Sequence, residues 1–249
     1  MDSLALLRHF DAIASSYRTV RTTDDQHVLH IRRQLPDRPR VGIDIGAGTG
    51  RYTERLLAAL PPQSLLVGAD FSHSMLVRLA HGEDRHRIPA VACISERLPF
   101  AGASADFVTT FNAVHHFDLC QFVPELARVL KPGGDLFIYT RTPAQNANSI
   151  WGRHFPGFAS REIRLHDEAR FQHALSRFDV VSMTCFEFTR RATRARLIDQ
   201  VRHHHYSTFA LYEPDALADA LDEFLDNIGE TTEHRWQDQN LLVHARLPV

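Results

Sequence analysis

Val41-Gly42-Ile43-Asp44-Ile45-Gly46-Ala47-Gly48-Thr49-Gly50 is the stretch that decides how this 249-residue chain folds. Val41, Ile43 and Ile45 read as a short buried strand, and the glycines at 46, 48 and 50 let the backbone turn sharply and bring bare N–H groups against a ligand. A helix is predicted from about Arg51 through Leu56, Leu57 and Leu60 until Pro61-Pro62 stops it. Leu65-Leu66-Val67-Gly68-Ala69-Asp70 is a second apolar run closed by a carboxylate.

A glycine-rich strand-to-helix turn with an acid about 20 residues on also describes the dinucleotide fingerprint G-x-G-x-x-G. The spacing separates the two readings, because Arg51 stands where the third glycine would fall and Gly50 comes one step early, giving G-x-G-x-G. Asp70 remains suited to accept both hydroxyls of a ribose, since adjacent donors want a bidentate acceptor. Further along come Phe71-Ser72-His73-Ser74-Met75-Leu76, Leu98-Pro99-Phe100, Asp106-Phe107-Val108, Asn112-Ala113-Val114-His115-His116-Phe117 and Arg128-Val129-Leu130-Lys131-Pro132-Gly133-Gly134. In this order, over roughly Val41 to Thr140, the set resembles the class I S-adenosylmethionine (SAM) dependent methyltransferases. It is most similar to the small-molecule enzymes grouped with the ubiquinone-biosynthesis type (type 11).

The resemblance implies an α/β fold: a Rossmann-like seven-stranded, mostly parallel sheet with an antiparallel last strand and helices on both faces. It implies SAM as cofactor, with the glycine loop wrapping its methionyl part, and cofactor contacts at Asp44, Gly46, Ala47, Gly48, Gly50, Asp70, Phe71, Met75, Ser95, Glu96 and Asn112. Tyr17 and Arg21 correspond to the tyrosine and arginine of an N-terminal helix that closes on the cofactor's carboxylate. One position departs from the pattern. Cys93-Ile94-Ser95-Glu96 stands where relatives carry an aspartate for the adenine amino group, so Glu96 or a backbone carbonyl has to take that contact.

Strands are predicted at about 41–45, 64–69, 89–94, 106–111, 134–140, 178–187 and 240–247, within a single domain spanning residues 1–249. About 50 residues separate the last two strands, and with the stretch 141–160 the insertion at 188–230 reads as a helical lid that sets acceptor specificity. Its helix begins at Glu213-Pro214-Asp215 and carries Leu217, Leu221, Phe224, Leu225 and Ile228 on one face.

Charge is uneven along the chain: residues 141–206 hold 11 basic and 6 acidic side chains, whereas residues 207–249 hold 2 and 9. Arg141, Trp151, Arg153, His154, His205 and Tyr206 are the candidate acceptor-binding residues, and their donors favour an anionic or carboxylated small molecule. His115 and His116, just after the fourth strand, are the candidate bases for a hydroxyl or phenol acceptor. Consecutive residues such as His203-His204-His205 point in different directions and rarely converge on one ion, so no metal is expected.

A net charge of −2 lacks the basic excess of a nucleic-acid binder, and no apolar stretch reaches the roughly 20 residues needed to span a bilayer. Met1-Asp2 opens without the basic start of a secretory signal, and a cytoplasmic protein is expected. Cysteines 93, 120 and 185 show no C-x-x-C pairing and read as buried thiols. The activity expected is methyl transfer to a small molecule. The alternative is a SAM fold that binds SAM without transferring methyl, as a pericyclase or a silent binding partner.

Overall fold

The computed structural model describes residues 3–15, 17–81 and 88–249. Seven strands form one sheet: β1 (Val41–Ile45), β2 (Leu65–Asp70), β3 (Ala90–Ala92), β4 (Ala105–Phe111), β5 (Leu130–Thr140), β6 (Asp179–Ala192) and β7 (His234–Arg246). Their order is β3-β2-β1-β4-β5-β7-β6. Every pairing from β3 to β5 is parallel, and β7 runs antiparallel to β5, with Asp135 opposite Arg246 and Thr140 opposite Leu241. This is the expected Rossmann-like architecture with its reversed last strand. No helix among the described residues is long and apolar enough to cross a membrane.

The chain divides into two compact units. The first, residues 22–140, 168–184 and 241–249, holds the parallel strands. Ile43, Ile45, Val108, Leu136 and Ile138 pack there against Phe122, Val123, Leu126 and Val129 of the helix Leu119–Val129. Gly42 is required by this packing, because a Cβ at that position would lie 2.1 Å from the Phe107 ring. Two blocks of the sequence that carry the family resemblance clasp each other: Arg128 donates to the Leu98 and Phe100 carbonyls at 2.8 and 2.7 Å, and Glu125 accepts the Leu98 N–H at 2.8 Å.

Strand ends differ from expectation in three places. β5 begins at Leu130 rather than 134, because Lys131-Pro132-Gly133-Gly134 is a bulge inside the strand: Ala105 pairs with Leu130, but Phe107 pairs with Asp135. β6 continues to Ala192 and β7 starts at His234, so strand replaces the ends of the expected insertion. Between them lie the helix Arg194–Arg202, a 3-10 turn at Ser207–Leu211 and the helix Pro214–Ile228.

The second unit, residues 1–21, 141–167 and 185–240, has its own apolar core of Trp151, Phe155, Phe158, Phe209, Tyr212 and Phe224. The face of helix Pro214–Ile228 expected to be apolar supplies Phe224 and Leu225 to it, and Asp222, Glu223 and Asp226 are exposed. The cysteines correct the sequence reading: Cys120 and Cys185 are exposed and Cys93 is half-buried. Burial pushes the Cys93 thiol up to about 11, and the carboxylates of Asp70 and Glu96 add to the shift.

Candidate functional site

Gly46 follows directly on β1, Phe71 on β2 and Asn112 on β4, so the loops after these parallel strands gather at one sheet edge, where open α/β sheets take their ligands. Gly46, Gly48 and Gly50 all have left-handed backbones, with φ of 72, 55 and 82°. They do different work. A Cβ on Gly46 would lie 2.4 Å from Ala113 Cβ, and one on Gly50 would lie 2.4 Å from Leu79 Cδ1, so these two glycines admit the 112–117 segment and the helix His73–Ala80. A Cβ on Gly48 would meet nothing within 4 Å, so the space beside this residue is open.

Asp70 is tied to that loop. Its Oδ2 accepts the Gly48 N–H at 2.8 Å and its Oδ1 accepts the Ser72 N–H at 2.9 Å. These two backbone bonds fix the orientation of the carboxylate. Ser72 in turn caps the next helix by accepting the Met75 N–H at 3.2 Å, and Met75 itself is 1% exposed in the core. Gly46 and Ala47 donate to the Ala69 carbonyl at 2.8 and 3.0 Å, and Gly50 closes the turn by donating to the Ala47 carbonyl at 2.9 Å.

Asp44 sits one layer deeper. It is 1% exposed, and its carboxylate accepts the hydroxyls of Thr53 at 2.5 Å and Thr109 at 3.0 Å, joining helix Arg51–Ala59 to β4. Burial raises its pKa to about 7, with the two hydroxyls opposing the rise and the nearby Asp70 charge adding to it. Thr53 and Thr109 carry no motif that would have marked them in the sequence. Arg51 donates to the Thr22 carbonyl and the Thr23 hydroxyl at 2.6 and 2.7 Å, so the residue that breaks the dinucleotide fingerprint anchors the segment before helix Gln26–Gln34.

Asn112 also has a left-handed backbone, φ 54°, and donates its N–H to the Tyr139 carbonyl at 2.7 Å. His115 and His116 lie on the short 3-10 turn that follows, half-buried, with ring centroids 4.0 Å apart. Phe117, next along, is 3.1 Å from where a Gly46 Cβ would stand, so this turn lies against the glycine loop. Ser95 is 7% exposed, and Ile94 is 53% exposed in a bridge to Arg97. Glu96 accepts the Asp118 N–H at 2.9 Å at the start of helix Leu119–Val129.

The other expected site residues belong to the second unit and are not all brought together. Arg141, 7% exposed, forms an ion pair with Asp238 at 2.7 Å and lies 5.2 Å over the Tyr206 ring. Arg21 lies 4.9 Å over the Tyr17 ring and 5.3 Å over Tyr206, and His205 packs edge-on to Tyr206 with centroids 4.6 Å apart. Trp151 is a core residue, 2% exposed and stacked on Phe224 at 4.9 Å. Arg153 and His154 are exposed, and their hydrogen bonds run to Asn148 and Asn227.

The three consecutive histidines go separate ways: His203 bonds Asp199, His204 stacks on His9 at 5.6 Å, and His205 joins Tyr206. His9 is held down at about 4, by burial first and then by His204, Arg21 and Arg164. Arg190 and Asp238 were missed by sequence reasoning. Arg190 Nε is 3.6 Å from Asp238, an acid set among strand residues with nothing local to single it out.

Comparison with known proteins agrees with this geometry. A methyltransferase domain matches residues 43–138, which contain the glycine loop, Asp70 and both histidines. The chain is 34% identical over 139 residues to a demethylmenaquinone methyltransferase of Corynebacterium kroppenstedtii, covering 53% of this chain and 57% of that protein. It thus spans little more than half the length of that relative, and a smaller share of several others. An uncharacterized methyltransferase of Mycobacterium tuberculosis is 31% identical over 177 residues, 69% of this chain and 67% of its own length. In fold, a Bacillus halodurans crystal structure with a provisional methyltransferase assignment superposes with a TM-score of 0.66 at 19% identity, covering 92% of this chain and all of that one. Glycine loop, tethered Asp70, strand order and sequence similarity agree, and the chain belongs to the SAM-dependent methyltransferase family.

Proposed function

We propose that this protein transfers the methyl group of SAM to a small-molecule acceptor, releasing S-adenosylhomocysteine. The observation that carries the reading is the open space beside Gly48, whose N–H is held by a carboxylate whose second oxygen also accepts a backbone N–H. That arrangement fits the cofactor: the bare turn accepts a chain laid across it, and Asp70 offers two fixed acceptors to the vicinal hydroxyls of a ribose. When bound, the sulfonium supplies an electrophilic methyl carbon.

The protein's own work is alignment. An in-line displacement needs the nucleophile opposite sulfur, and a loop whose bonds are complete before binding loses little freedom when it closes on a ligand. Asp70 and the glycine turn hold the adenosyl side, with Asn112 at the end of β4 beside them. His115 or His116 serves as the base that takes the proton from a hydroxyl or phenol acceptor as its oxygen attacks, a task suited to imidazole near neutral pH. Glu96, fixed by Asp118, is the candidate partner for the adenine amino group in place of the aspartate replaced by Ile94.

The test is to incubate the purified chain with SAM and a metabolite extract and to follow S-adenosylhomocysteine and products heavier by one methyl. Asp70→Asn preserves size but turns one acceptor into a donor facing a backbone N–H, so SAM affinity is expected to fall tenfold or more, about 1.4 kcal/mol. SAM binding at wild-type strength in that variant refutes the site. Binding without any demethylated cofactor, across acceptor classes, instead supports a SAM fold that does not transfer methyl.

A further inference from the structure

Within the second unit two guanidinium groups meet one carboxylate and a third lies over the tyrosine ring beside it. Arg141 and Arg190 reach the same Asp238 oxygen at 2.7 and 3.6 Å, and Arg21 shares the Tyr206 ring with Arg141 at 5.3 and 5.2 Å. The pairing is incomplete. Arg141 Nη1, Arg21 Nε and Asp238 Oδ1 are buried atoms without a hydrogen-bond partner among the described residues. Arg141 is 7% exposed and Asp238 5%, so water does not compensate them as it does Arg153 or Arg191 on the surface.

A buried guanidinium N–H without an acceptor is costly unless a ligand completes it. Tyr206 adds a donor: burial raises its hydroxyl pKa despite the adjacent arginines, so the O–H stays protonated at neutral pH. The planar fork of arginine matches a carboxylate or phosphate edge, and aromatic stacking on Tyr206 holds two of the three forks in orientation.

We propose that Arg21, Arg141, Arg190 and Tyr206 form a recognition site within the second unit for the carboxylate or phosphate group of a small molecule, with Asp238 as the resident carboxylate that such an anion competes with for Arg141. The site is argued from the second unit alone and stands apart from the methyltransferase reading. It also draws in Arg21, which the sequence pointed toward the cofactor's carboxylate.

The same chemistry could be offered by the carboxylate of the cofactor itself, so the experiment saturates the protein with S-adenosylhomocysteine, which carries that group. Inorganic phosphate and benzoate are then titrated by calorimetry. Saturable binding of at least one of them to the loaded protein is expected. It should weaken at least tenfold in Arg141→Gln and by less in Arg141→Lys, which keeps the charge but not the fork. Asp238→Asn removes the carboxylate that Arg141 and Arg190 share and should tighten anion binding several-fold, a change that a merely structural ion pair would not produce. Thermal unfolding verifies that each variant is folded, and Arg141→Lys carries the test if Arg141→Gln is not.

Absence of saturable anion binding by the loaded protein overturns the proposal. So does a tenfold loss of S-adenosylhomocysteine affinity in Arg141→Lys with anion binding seen only without that ligand, which would assign the cluster to the cofactor's carboxylate. Weaker anion binding in Asp238→Asn overturns it as well. Failure of S-adenosylhomocysteine itself to bind the wild-type chain is a separate result that counts against the methyltransferase reading, whatever phosphate does.

Discussion

The acids of the sheet unit and the arginines of the second unit are treated in opposite ways. Asp44 is met by two threonine hydroxyls, Asp70 by two backbone N–H groups, Asp106 by the Val41 N–H and Lys131, and Asp135 by His244 and Arg246. Each carboxylate there has its donors within the fold, so the loops at the sheet edge are set before any ligand arrives. Around Asp238 in the second unit the pairing is incomplete, and Arg141 keeps a buried nitrogen without a partner among the described residues. A complete polar network makes a rigid frame, whereas an incomplete one keeps binding energy for something outside the chain.

The largest expected effect breaks the second unit alone. Trp151 stacks on Phe224 and meets Phe209 edge-on at 5.3 Å, within the aromatic core of the second unit. Trp151→Ala should cost about 3–5 kcal/mol, and hydrogen exchange should quicken through residues 141–167 and 185–240 while amides of 41–70 keep their protection. An equal rise in both regions would show one cooperative unit and dissolve the contrast.

A smaller effect isolates the frame. A carboxyl whose pKa rises to about 7 on folding is stabilising to the native state only while protonated, so stability falls as pH climbs from about 4 through 7. Asp44→Asn can still bond Thr53 and Thr109 but carries no charge to bury. Its stability relative to wild type should be near parity at pH 4 and greater by about 2–4 kcal/mol at pH 8, read from urea unfolding at both values. A difference that does not change with pH would mean that Asp44 is ionised at little cost, and that it faces ligand or water rather than the interior.

Much of the frame was legible because its signals are local. The 41–50 stretch, the acid at 70 and the Leu98 and Arg128 blocks lie in short runs whose period and glycine spacing dictate strand, turn and helix, and they fold against one another as that pattern required. Strand ends were legible less well: the Lys131-Pro132-Gly133-Gly134 run has the composition of a helix stop, and only the register to β4 reveals a bulge within a strand. β6 carries few buried positions, so alternation could not mark its end at Ala192. The arginine cluster was half visible. Arg21, Arg141 and Tyr206 stood out by type, but Asp238 and Arg190 meet them across long stretches of sequence, and no periodicity encodes such a meeting. Trp151 shows the converse, since an aromatic among basic residues looks like a pocket wall and is packed instead as core.

The smallest predicted effect sharpens the contrast within one residue type. Arg153 and Arg141 stand twelve positions apart in the same basic segment, and the sequence offered both for the acceptor. Arg153 is exposed and reaches only the Asn148 side chain, at 3.5 Å, so water already solvates what the protein leaves unbonded. Arg153→Ala should therefore change stability by no more than about 0.5 kcal/mol and leave phosphate affinity within twofold, whereas Arg141→Lys, which keeps the charge, should weaken phosphate binding more. Calorimetry on the two variants side by side compares a solvated guanidinium with a buried one. If Arg153→Ala proves the more damaging, the anion is read by surface charge on helix Ile150–His154, and burial ceases to be what distinguishes the arginines that bind from those that do not.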